Sequence, residues 1–209
     1  MLFSFAVFSA ALLHSGRPSS PACLARSTRA PAARASAAAL LESCTAAGPV
    51  GVLAPEAAQQ SVEDAAAALE GASAVPAQAR VPLAGTYDLL YSAAKGGSNG
   101  KIGPFVGQVT QVIKDETSFV NQVSLGPLTV QLHATREVLD DNRIRVSFVE
   151  TVFSLFGREL RRQPTQGKGV WQQVYVETGA DGTASLRVMR TPSLFVLRQR
   201  SGGASGEGR

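Results

Sequence analysis

Histidine and cysteine are nearly missing, with two of each in 209 residues. His14 and Cys23 lie ahead of the first acidic residue, Glu42, which leaves His133 and Cys44 alone in the rest of the chain. A histidine metal site or a Ser-His-Asp triad therefore has at most one histidine to draw on. His133 falls on the polar side of its segment, where a solvated surface histidine is the plainer reading. If the leader that holds Cys23 is removed, no intramolecular disulfide is available, as suits a reducing compartment. Acidic residues are absent before Glu42, in a stretch that carries Arg17, Arg26, Arg29 and Arg34. The remaining 16 Lys and Arg face 16 Asp and Glu, so the body is formally neutral despite a pI of 9.4. A domain that binds phosphates keeps its basic surplus in the folded part, so nucleic acid is set aside as a partner.

Phosphate-loop chemistry is missing too. Lys95-Gly-Gly-Ser-Asn-Gly-Lys-Ile-Gly103 has Lys95 where the first glycine belongs and Ile102 where Ser or Thr must follow Lys101, so it reads as a hairpin loop. No nucleophile elbow, metal-ligand cluster or spaced pair of acids occurs, and no catalytic residue, metal or cofactor is assigned.

What is present begins with a leader, residues 1–35. Leu2 to Leu13 is apolar but shorter than the about 20 residues that span a bilayer as a helix. Ser, Ala, Pro and Arg without acids follow, a transit-peptide composition. A signal-like piece before a transit-like one resembles the two-part leaders that target secondary plastids. A single transit peptide with a hydrophobic start is the competing reading.

Residues 36–80 form a helical segment and linker. Ser36 to Thr45 places Leu40, Leu41 and Cys44 on one helical face, and Gly48 to Gly51 breaks the chain. Pro55 opens a second helix with Val62, Ala65, Ala66 and Leu69 as its apolar stripe, and Gly71 ends it. Packing as a brace on the domain is preferred to membrane contact, because large apolar and basic residues are lacking. Ala72 to Arg80 reads as linker.

Residues 81–199 alternate with a period of two. In Gly85 to Ser92, Tyr87, Leu89 and Tyr91 fall on one side, the mark of a half-buried strand. Similar segments follow at Val106–Lys114, Ser118–Leu125, Leu128–Leu139, Arg143–Phe153, Val170–Glu177, Leu186–Arg190 and Leu194–Leu197, with a polar break over Gln163–Gly169. About eight short strands without intervening helices imply an antiparallel meander, and closure removes its exposed edges. The fold class is mainly β, an antiparallel barrel of about eight strands preceded by two short α-helices. Such a barrel holds packed side chains or one small ligand. Gln108, Asn121 and Gln172 occupy otherwise apolar faces. They need partners, either each other and water or a ligand. Residues 200–209 read as a disordered tail.

The order of these pieces resembles the plastid lipid-associated proteins, the PAP/fibrillin family, over roughly Ala38 to Arg198. The likeness rests on Gly85-Thr-Tyr-Asp-Leu-Leu-Tyr-Ser92, on Val120-Asn121-Gln122-Val123, and on Arg187 and Arg190 three apart before Phe195-Val196-Leu197. Tyr87 stands where the family usually has Trp, Thr191-Pro192 where a glycine commonly follows the second arginine, and Tyr175–Arg187 is longer than the norm. The resemblance implies a lipocalin-like barrel at plastid lipid surfaces, thylakoids or plastoglobules, without shared catalytic residues. The expected ligand is a carotenoid, prenylquinone or fatty acid. Candidate ligand-binding residues are Tyr87, Leu89, Tyr91, Asn121, Trp171, Tyr175, Arg187 and Arg190. Arg187 and Arg190 fall on opposite faces of one regular strand, so at most one points inward to hold an anionic head; surface placement or pairing with an acid such as Glu150 is the alternative. Two other readings stay open. One is a coat or scaffold of plastid lipid bodies or for a biosynthetic enzyme. The other is a lipid isomerase or cyclase, for which only Asp88, Glu137 and Glu150 are candidate interior acids.

Overall fold

The computed structural model describes residues 22–70, 72, 77–95 and 99–200. The first 21 residues of the expected leader and the tail at 201–209 lie outside them. Two helices come first, α1 (Ala22–Ala47) and α2 (Glu56–Glu70). Eleven strands follow: β1 (Gly85–Ser92), β2 (Lys101–Ile102), β3 (Phe105–Val106), β4 (Gln108–Ile113), β5 (Ser118–Leu125), β6 (Leu128–Val138), β7 (Arg143–Leu155), β8 (Arg158–Pro164), β9 (Lys168–Thr178), β10 (Ala184–Arg190) and β11 (Leu194–Gln199).

Hydrogen bonds run antiparallel from β1 through β4, β5, β6, β7, β9, β10 and β11, and β11 returns to β1. Eight strands thus form a closed, barrel-like ring, and β8 is attached to it through β7 alone. Tyr87, Leu89, Ile113, Phe119, Ala134, Ile144, Val146, Val176, Met189, Phe195 and Leu197 meet in one buried cluster fed by all eight ring strands. Ala79, Val81 and Leu83 join it from the segment before β1, so the end of the expected linker and the first residues of the expected barrel plug one end of the ring. The Ala79 N–H donates to the Asp141 carbonyl and the Ala184 N–H to that of Pro82, pinning the plug to two turns.

A second cluster lies outside the wall. Ala33, Ala37, Leu40 and Cys44 of α1 and Val62, Ala66 and Leu69 of α2 cover Leu186, Val188, Leu194 and Val196. This stripe at spacings of three and four carries α1 well before Ser36, because alanine is the strongest helix former and the wall buries the stripe. Helix α1 ends where the Gly48 N–H bonds the Cys44 carbonyl, with Gly48 at a φ of 75°.

Two strand irregularities revise the expected faces. The β1–β11 register shifts between Leu89 and Tyr91, so Leu90 is a bulge and Tyr91 turns out of the ring, under the helices. The β9–β10 register shifts at Val174 in the same way and sends Tyr175 outward. A bulge adds one residue to a period of two, and every later side chain changes face.

The three tyrosines of the chain are therefore all buried, Tyr87 inside the ring and Tyr91 and Tyr175 beneath the helices. Burial raises each phenol above its ordinary pKa of 10.0. A pKa raised by folding contributes stability in full below 10 and loses it as the pH climbs through the raised value. Tyrosinate absorbance should accordingly stay flat through pH 10 and rise later, together with loss of near-ultraviolet dichroism. Reversible titration at the ordinary value with the fold intact would contradict this burial.

Candidate functional site

Directly paired residues of antiparallel strands point to the same side, so the register fixes what faces the interior. One inner row is Phe119, Ala134 and Phe148; the next is Asn121, Leu132, Thr151 and Gln163. Beyond it come Val123, Val130, Phe153 and Arg161, then Leu125, Leu128, Leu155 and Arg158. Up to Ser147 the second partner of β7 is β9, and from Glu150 onward it is β8. The strip β5–β8 consequently stands clear of the closed ring. Its inner apolar residues Val123, Leu125, Leu128, Val130, Leu132 and Phe153 are half-buried rather than sealed. The result is an apolar trough that continues the interior at the end opposite the plug.

The trough has two flanks. On one side Gly107, between β3 and β4, lies close against β5: a Cβ there would fall 2.7 Å from both the Val123 side chain and the Ser124 carbonyl oxygen, so glycine is needed. On the other side the β7–β8 turn leans on the β5–β6 turn through the Phe156 N–H and the Pro127 carbonyl, 2.9 Å apart.

Below the trough, polar groups cross the interior. Arg187 is 1% exposed, and its Nη1 donates to Gln111 Oε1 at 2.6 Å. Gln111 Nε2 donates in turn to Asn121 Oδ1 at 2.9 Å, which links the buried arginine to the floor of the trough. The guanidinium lies 5.3 Å over the Tyr87 ring, and the Tyr87 hydroxyl donates to the Ala184 carbonyl at 2.9 Å. No carboxylate accompanies Arg187, and its Nε has no hydrogen-bond partner among the described residues. Burial pulls its pKa down to about 10. Arg136, paired with Val146 in an inner row, likewise keeps buried Nε and Nη1 groups without partners, and burial lowers its pKa.

Of the sequence candidates, Tyr87, Leu89, Asn121, Trp171 and Arg187 face the interior. Trp171 packs on Phe119 with ring centroids 5.2 Å apart. Tyr91 and Tyr175 face the helices, and Arg190 is on the outer face as well, held by Glu63 and Glu70 of α2 at 3.0 Å each. Gln108 and Gln172 are exposed; the inward amides are Gln111, three residues on, and Gln173, the next residue, each on the opposite face of its strand. Asp88, Glu137 and Glu150 all sit on the outer face, paired with Arg200, Arg145 and Arg162. His133 is half-buried on the outer face opposite Glu150. The apolar trough residues share their faces by simple alternation, yet of this strip only Asn121 was among the sequence candidates.

A depression of about 600 Å³ lies near the plug, between Arg80 and the β6–β7 turn. Its charges pair with one another, Arg80 with Asp141 and Arg143 with Asp140, and it offers little apolar surface. The trough has the better chemistry for an apolar ligand. Among the described residues no group of three His, Cys, Asp or Glu is placed to hold a metal ion, and no helix is long and apolar enough to cross a membrane.

The PAP_fibrillin family model matches residues 36–192, from the first helix to the end of β10. The chain belongs to the PAP/fibrillin family. It is thus, in general terms, a plastid lipid-associated protein with a mainly β, barrel-like fold behind two helices. No curated protein and no solved structure matches the chain.

In this fibrillin, Arg187 is a buried cation with amide rather than carboxylate partners, an arrangement whose desolvation opposes folding. Arg187→Met keeps the volume and removes the charge. Urea unfolding should show the variant as stable as the parent or up to about 3 kcal/mol more stable. A loss of stability of that size would mean that the guanidinium's bonds outweigh its desolvation.

Proposed function

We propose that this fibrillin is a non-catalytic plastid lipid-binding protein of thylakoids or plastoglobules. It takes a hydrophobic ligand of the carotenoid, prenylquinone or fatty acid type into the trough. The observation that carries the reading is the pair of inner rows, Val123–Val130–Phe153 and Leu125–Leu128–Leu155, left half-buried, and at Leu155 exposed, where the ring opens. Covering them with an acyl or isoprenoid chain contributes about 25 cal/mol per Å² of apolar surface removed from water. Asn121 and the buried Arg187–Gln111 pair lie at the floor, where a polar or anionic head would find donors. An interior acid for isomerase or cyclase chemistry has no support from Asp88, Glu137 or Glu150, all turned outward.

A specific observation favours the second reading, a coat or scaffold on lipid bodies or for a lipid-biosynthetic enzyme. Side chains fill the plugged half of the ring, while large apolar residues are exposed at the rim.

Native mass spectrometry of the full chain, after exposure to a plastid lipid and pigment extract, separates the two. The parent should retain a discrete added mass through buffer exchange. Leu132→Asp and Phe153→Asp should lose it, and Arg190→Gln, on the outer face, should keep it. A parent without added mass would favour the scaffold.

A further inference from the structure

Two segments far apart in sequence bring large apolar side chains into water at the open end of the ring. Phe156 in the β7–β8 turn is 80% exposed, Leu160 at the β8 bulge 63% and Phe105 on the β2–β3 hairpin 59%. Folded proteins seldom expose several such residues at one place unless something covers them. The Phe156–Pro127 bond, the Gly107–Gly100 bond and the close approach of Gly107 to Ser124 bring the β7–β8 turn and the base of the β2–β3 hairpin to the same end of the ring as the trough.

The unpaired charge beside them is of one sign among the described residues. Arg158 is in register with Leu155 and Arg161 with Phe153, on the inner face. Neither has a carboxylate within ion-pair distance among the described residues, and neither does Lys101 of the hairpin. The nearby acids Glu150 and Glu159 are turned to the other face and occupied by Arg162. An apolar rim beside unpaired cations matches an interface of acyl chains topped by anionic headgroups. A second copy of the chain fits less well, since the free edge of β8 would pair strand to strand only by bringing its arginines together.

We propose that the mouth of the trough docks on a lipid surface bearing anionic headgroups. Phe156, Leu160 and Phe105 enter the acyl boundary, and Arg158 and Arg161 pair with headgroup oxygens. The trough then opens onto the lipid, and a ligand passes between the two without crossing water. The inference rests on the lipid-binding reading only in using the same end of the ring.

The test is co-flotation of the full chain with vesicles of phosphatidylcholine alone, or with a third of it replaced by phosphatidylglycerol. Every protein compared carries the same apolar Leu2–Leu13 run, so differences between variants report the rim. The parent should bind the phosphatidylglycerol vesicles more tightly. The Arg158→Gln/Arg161→Gln variant should lose about fivefold per arginine on them and little on neutral vesicles. Phe156→Ser/Leu160→Ser should lose about tenfold or more on both. These residues are exposed, so the urea midpoint should not move in either variant. Unchanged binding by both variants overturns the proposal, as does indifference of the parent to phosphatidylglycerol. A dimer of the parent that Phe156→Ser dissolves, without vesicle binding, overturns it and assigns the rim to a second copy. Added lipid mass retained by a chain that ignores vesicles sinks the docking alone; vesicle binding without added mass sinks the trough alone.

Discussion

Strand β1 carries hydrogen bonds on both edges, to β4 on one side and β11 on the other, and this double pairing closes the ring. Closure forces half the side chains of every strand into one enclosed space. It also removes the free edges that eight antiparallel strands would otherwise present. The enclosed space is used unequally. Near the plug, Ala79, Val81, Leu83, Tyr87 and their neighbours fill it. Towards the other end, β7 exchanges β9 for β8 as its partner, and the wall continues as an open strip. A trough follows from that exchange, because the inner face keeps its apolar sequence after the opposite wall has stopped.

The helices complete a different part of the structure. They cover the outer face of β9, β10, β11 and the end of β1, with Tyr91 and Tyr175 as part of the contact. Arg190 ties α2 to β10 through Glu63 and Glu70. Gly51 fits there because a Cβ would fall 2.5 Å from the Tyr91 hydroxyl. Thus two arginines three residues apart do unlike work. One braces a helix in partial contact with water, and the other is a desolvated cation at the base of the interior.

Much of the fold was legible in the alternation. Seven turns or breaks separated eight segments, and the eight ring strands match them, as do the positions of both helices. Arg187 and Arg190 fall on opposite faces as a regular strand requires, and Tyr87, Leu89 and Asn121, ahead of any bulge in their strands, kept their expected side. Tyr91 and Tyr175 did not, because each follows a bulge, and an inserted residue leaves no mark in a pattern of period two until pairing is known. Gln108 and Gln172 were on the other face from the inward amides for a related reason. Both neighbours of each inward amide are also polar or β-branched, so the pattern alone does not choose between faces. Strand β8 was not anticipated, since Arg158-Glu-Leu-Arg-Arg carries no alternation and becomes a strand only because β7 offers a free edge. The trough depends on that pairing, and so it too was out of reach of the sequence.

The central claim is that lipid enters the open end of the ring rather than lying against the helices. Trp171 is the one tryptophan of the chain and packs at a tilt against Phe119 just below the trough floor. Its fluorescence, read during titration with a fatty acid brominated midway along its chain, tests the claim most directly. The account predicts saturable quenching that the Leu132→Asp variant abolishes. Full binding of the brominated lipid with Trp171 unquenched would place the lipid outside the ring and contradict it.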